Sequence, residues 1–314
     1  MIVNLVPEFF AVLGDADPDA AYRAYLERHR AILASYWHNY VIDLDTAPAQ
    51  SVIASALAAD RRDLRQLLAS VAIEELAAEA LAAAQAALDL SLEVDVYLTV
   101  GVGAANAGEL VVNGRGAIVI GVEHFTGVPN ADTYALGLSP ALLPLWVAHE
   151  TAHLARYLAP DSRAGIRRLI QDAGGQYDCW DLASRASLRE LLLNEGVAVH
   201  ASRAAAPGLP EETYFGFTRR QYRRLRELES FLFRAARPEL DHTGLGLRLK
   251  WLTGGMSPAA RLVQGRVLPE RGGYYLGARM AEALVMERGI AWAARAAADE
   301  FTAAQNQQGR AVGA

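Results

Sequence analysis

The chain of 314 residues contains one cysteine, Cys179, and one lysine, Lys250. A single cysteine excludes an intramolecular disulfide, so the fold does not depend on an oxidising compartment, and Cys179 reads as a small buried hydrophobe. The scarcity of lysine among 30 basic residues carries no mechanism. The net charge is -6, which argues against nucleic acid as a partner. No run reaches the roughly 18 uncharged apolar residues that a membrane span requires. The opening MIVNLVPEFF lacks the basic start and unbroken apolar core of a signal peptide. The expected location is the cytoplasm, with no membrane partner. What the chain does have is 52% hydrophobic content, enough to bury a large core in one or two domains.

Residues 18–90 read as helices: one opening at Asp17-Pro18, a second near 48–59, and a third along 60–88 carrying a stripe of Leu64, Leu67, Leu68, Ile73 and Leu76. His29 and His38 fall here and read as solvated or packing residues. At Leu92 the period changes. Val94, Val96, Leu98 and Val100 alternate with Asp95, Tyr97 and Thr99 as in a strand, and Asn113-Gly114 signals a hairpin joining strands at 110–112 and 116–122. His124 follows as a surface or loop histidine. Further on, 161–181 reads as loop, and Ser187-x-x-Glu190 as a capping box opening a helix that Pro207-Gly208 closes. A helix at 211–237 has Arg219, Arg220, Arg223, Arg224 and Arg226 on its solvated face. Another runs from Gly272-Gly273 to Gly289, and a last one precedes a frayed tail at 306–314. The expected class is α+β, predominantly helical, with a small mixed or antiparallel sheet. Residues 1–90 form an N-terminal helical region and 91–314 a second domain, or the two form one compact unit.

The segment 139–160 holds His149, Glu150 and His153, an H-E-x-x-H pattern in a run that reads as a buried helix capped by Ser139 and stopped by Pro160. Four residues between histidines is about 40° of helix rotation, so both imidazoles share a face, as two nitrogen ligands of one Zn2+ ion must. Glu150 lies about 100° round, beside the metal, where a general base belongs. A catalytic zinc takes a third protein ligand and keeps one position for water. Glu195, 42 residues after His153 on a separate helix and among Leu188, Leu192 and Val199, is the candidate. His200 points about 140° away from Glu195 and should not bind the same metal.

His149, Glu150, His153 and Glu195 together resemble the gluzincins, the thermolysin-like zinc metallopeptidases, with Val199 where thermolysin places an acidic residue. A nearer likeness is to bacterial predicted zinc-dependent proteases of unknown substrate, which follow their glutamate with glycine, here Glu195-Gly196-Val197-Ala198, and carry a later G-Y-x-x-G, here Gly273-Tyr274-Tyr275-Leu276-Gly277. The likeness covers roughly residues 92–290. It implies a zincin-like fold and a peptide or protein substrate, with Tyr274, or Tyr275 beside it, donating to the oxyanion. In zinc proteases of this layout the last strand before the metal helix has a free edge, which makes Val119 and Ile120 the expected substrate-binding positions. The alternatives are a non-catalytic metal-binding or helical interaction protein on the same scaffold, or a hydrolase of a non-peptide amide.

Overall fold

The computed structural model describes residues 1–40, 44, 46–101 and 105–302; the expected tail at 306–314 lies outside them. Helices surround a small mixed sheet, as the α+β reading expects, besides a two-stranded antiparallel pair at Leu262–Val263 and Arg266–Val267, and no helix among the described residues is long and apolar enough to cross a membrane. The sheet has four strands, β1 (Ile2–Asn4), β2 (Val94–Thr99), β3 (Ala107–Val112) and β4 (Arg115–Gly121), in the order β1-β2-β4-β3. β1, β2 and β4 run parallel, and β3 returns antiparallel to β4. The hairpin between them turns on Asn113 and Gly114, at φ 52° and 75°, the left-handed pair that a two-residue turn requires.

Two departures from the expected elements matter for the site. β1 has only three residues and no alternation to betray it, yet it pairs with Val96, Tyr97 and Leu98. The chain start therefore belongs to the sheet, and residues 1–90 share one hydrophobic core with the rest. Several long helices are also broken. The first divides at His29 into Pro18–Arg28 and Arg30–Tyr40, and the third at Val71 into Arg62–Ser70 and Ile73–Ala87. The segment expected as loop contains helices Gly165–Asp172 and Cys179–Arg185; the first is short and amphipathic, burying Ile166 and Ile170 one turn apart.

The histidine helix, Leu143–Leu158, lies across β3 and β4. Gly116 of β4 leaves the space that Leu154 and Leu158 fill, for a Cβ there would come within 3.1 Å of both side chains. Against this helix packs the glutamate helix, Leu188–Ala205. Its Ser187 accepts from the Glu190 amide as expected, but the Glu190 carboxylate turns to Arg156, 2.6 Å away. At the other end Ser202 donates to the Leu145 carbonyl at 3.0 Å. These two ties, 156 to 190 and 145 to 202, fix the helices antiparallel with Glu195 facing the histidines.

Candidate metal centre

Both imidazoles present Nε2 to one oxygen of Glu195, His149 at 3.3 Å and His153 at 3.6 Å. Bonds of 2.0–2.1 Å to a tetrahedral zinc set ligand atoms about 3.3 Å apart, so the three donors stand at the edge lengths of such a tetrahedron. The three residues form a group that can hold a metal ion. Only 4% of His149 and 2% of His153 is exposed. Among the described residues, Glu195 pairs with these two rings and with no arginine, so a half-buried carboxylate is left without a permanent counter-charge in contact. Burial alone would raise its pKa, yet the histidines hold it well below the usual carboxylate range.

The glutamate reaches the centre because its helix crosses a third one at very short range. This is the tyrosine helix, Gly272–Arg288. A Cβ at Gly196 would lie 2.1 Å from the Gly277 carbonyl carbon, and one at Gly277 would lie 1.8 Å from the Leu192 carbonyl oxygen. Gly273 is hemmed in by Leu192, Leu252 and the Trp251 carbonyl. The glycines of both sequence motifs are thus the contact points of one helix crossing.

That crossing brings Tyr274 to the centre. Its half-buried ring stacks on His149 at 6.3 Å between centroids, with Arg271 over it at 4.6 Å. Burial and the charge of Glu195 push its phenol pKa up. Tyr275 goes elsewhere: its hydroxyl donates to Glu229 and its ring meets Phe215 and Tyr222. The structure thus sets Tyr274, and not Tyr275, against His149. Ring contacts also orient the histidines: His149 lies between a tilted Trp146 and a stacked Tyr274, and His153 stacks on Tyr157 at 6.0 Å.

Glu150 lies beside the histidines and has a companion that sequence reasoning missed. Glu109, on β3, forms with Glu150 and His153 a second group of donor atoms within 4.8 Å of one another. Its oxygens accept from Tyr40 at 2.6 Å and Tyr157 at 2.8 Å, and Asn194 donates to the Tyr157 hydroxyl at 2.9 Å. Burial, reinforced by Glu109, raises the Glu150 pKa well above the carboxylate range. Burial works against the His153 cation too, but Glu109 and Glu195 outweigh it and lift that pKa to about 10. His149 moves the other way, lowered by burial. One signal for this network was present in the sequence: Tyr157 stands four residues beyond His153, on the histidine face. Glu109 gave only a lone charge in an apolar strand.

The substrate positions expected on β4 are corrected. Val119 pairs with Tyr97 on one side and Gly108 on the other, and Ile120 with Leu98 and Ala107. Both are fully buried. β4 is interior because β3, the hairpin partner, takes the edge, so its main chain has no free side for a peptide. The remaining histidines stand apart. His124 is buried, with its Nδ1 accepting from the Leu136 amide at 3.2 Å, and so is not a surface residue. His200 meets the Ala278 carbonyl at 2.9 Å, linking the glutamate and tyrosine helices, and burial pushes its pKa down to about 4.

Comparison of the chain with protein-family models, with curated proteins and with solved structures finds no match in any of the three.

Proposed function

We propose that this chain is a zinc-dependent peptidase of zincin-like fold, with His149, His153 and Glu195 as zinc ligands and Glu150 as general base. The observation that carries the reading is the convergence of two imidazole Nε2 atoms on one Glu195 oxygen at 3.3 and 3.6 Å. Two nitrogens and one carboxylate are the donor set of a hydrolytic zinc site, which keeps a fourth position for water or substrate. Zinc bound there supplies an acidified water and a polarised amide carbonyl. The chain's own groups manage the protons. Glu150, beside the two imidazoles, takes a proton from water and returns it to the leaving amine. Tyr274, kept protonated by burial, donates to the oxyanion without carrying charge.

Elemental analysis and digestion of a peptide library, run on wild type, Glu195→Ala and Glu150→Gln, test the reading. One zinc per chain is expected in wild type and Glu150→Gln, and loss of zinc in Glu195→Ala. Glu150→Gln should lose on the order of a hundredfold or more in turnover, as for general bases. Unchanged zinc affinity in Glu195→Ala would remove that residue from the metal, and wild-type turnover in Glu150→Gln would remove the base.

A further inference from the structure

Access to the centre is the next question, and the answer rests on the peptidase reading above. A peptide awaiting hydrolysis needs an extended seat beside the catalytic groups, and a strand edge offers one through main-chain hydrogen bonds. Here the edge strand beside the centre is β3, whose Glu109 stands against Glu150 and His153.

Two outward carbonyls of that edge are already taken. The Tyr40 hydroxyl lies 2.7 Å from the Glu109 backbone oxygen as well as 2.6 Å from its carboxylate, and the Tyr177 amide donates to Val111 at 2.8 Å. Tyr40 lies on the helix Arg30–Tyr40, and two glycines leave room for rings of that helix. A Cβ at Gly108 would lie 2.5 Å from the Tyr40 ring, and one at Gly101 would lie 2.3 Å from the hydroxyl of Tyr36, one turn earlier. The last turn of the helix is tied down by polar contacts to 177–180. Asn39 donates to the Tyr177 carbonyl at 3.3 Å and accepts from the Cys179 amide at 2.7 Å; Trp180 donates to the His38 carbonyl at 2.9 Å. Only 5% of Glu150 is exposed.

We propose that Tyr40 is a built-in inhibitory strap: its side chain occupies the substrate edge of β3, and the centre takes a peptide only when that side chain withdraws. The test compares full-length, zinc-loaded wild type with Tyr40→Ala and with Gly108→Ala, whose added methyl displaces the same ring from the strand side. Tyr40→Phe, which removes only the hydroxyl, stands in where either variant fails to fold. The readouts are kcat/KM on a fluorogenic peptide library and affinity for a peptide hydroxamate, whose binding needs the edge and the metal but no turnover. Removing a closed state that holds nine-tenths of the molecules raises apparent affinity about tenfold, and a gain of about that size or larger is expected. A gain in either readout upholds the strap. A gain in hydroxamate affinity with no turnover in any chain upholds the strap and sinks the peptidase reading. Equal affinity and equal turnover in wild type and variants, zero included, overturn the strap.

Discussion

Tyr274 and Tyr275 are adjacent in sequence and about 100° apart around their helix, which gives them different work. Tyr274 stacks on His149, while Tyr275 bonds to Glu229. Tyr274→Phe should therefore lower kcat by about 10²–10³, as loss of an oxyanion donor does, with zinc content unchanged. Tyr275→Phe should keep kcat and lose about 1.5–3 kcal/mol of stability, the worth of a hydrogen bond to a charged group, read by urea unfolding. A reversed outcome would exchange the two roles. His153 carries a second prediction. Its folded pKa of about 10 stands above the ordinary 6.5, so in chelator-stripped chain its stabilising contribution is full below 6.5 and lost as pH rises through 10. Zinc at pH 7.5 must displace that proton. Calorimetric titration in buffers of differing ionisation enthalpy should show at least one proton released per zinc, and a value near zero would mean that His153 binds zinc from the neutral state. The ligands were legible in sequence because four-residue spacing fixes a helix face. Glu109 was not, because its partners come from 40, 150 and 157, and no local pattern records a contact across such separations.

At the scale of elements, β4 was legible as a strand from its apolar run, but its neighbours were not. Whether a strand is interior depends on which others join it, and β1 joins with three residues that carry no periodic signal. A proline at Val119 or Ile120 would consequently strike pairings on both sides of β4 and damage the fold, so it does not probe substrate binding. The crossing of the glutamate and tyrosine helices was legible only as glycines without a stated reason; the reason is a Cβ on Gly277 lying 1.8 Å from the Leu192 carbonyl oxygen. Backbone cannot yield as a side-chain end can. Gly277→Ala should therefore cost about 1–3 kcal/mol or more, as overpacking does, and weaken zinc binding by shifting Glu195. Thermal unfolding and a zinc titration check this; a variant as stable and as tight as wild type would mean that the helices separate freely.

For the whole molecule, the sequence offered either a division near residue 90, where helical periodicity gives way to alternation, or one compact unit. The structure joins what that change of pattern divides. The Met1 amino group donates to the Val94 carbonyl at 2.8 Å, Leu5 bonds to Leu98, and Leu5, Tyr36, Val96, Leu154 and Leu284 belong to one core cluster. A chain built this way should unfold as one. Its five tryptophans, at 37, 146, 180, 251 and 292, report from both sides of the suggested division, while far-UV circular dichroism reports the helices throughout. In urea the two signals should change together, which is the mark of a two-state transition. Zinc at a hundred times its Kd should add about 2.7 kcal/mol by mass action, moving both signals equally, since the ligated helices lie in the shared core. In Glu195→Ala the transition should remain single while the zinc-dependent shift disappears. Two separated transitions, with zinc moving only one, would establish instead that residues 1–90 fold apart from the metal centre.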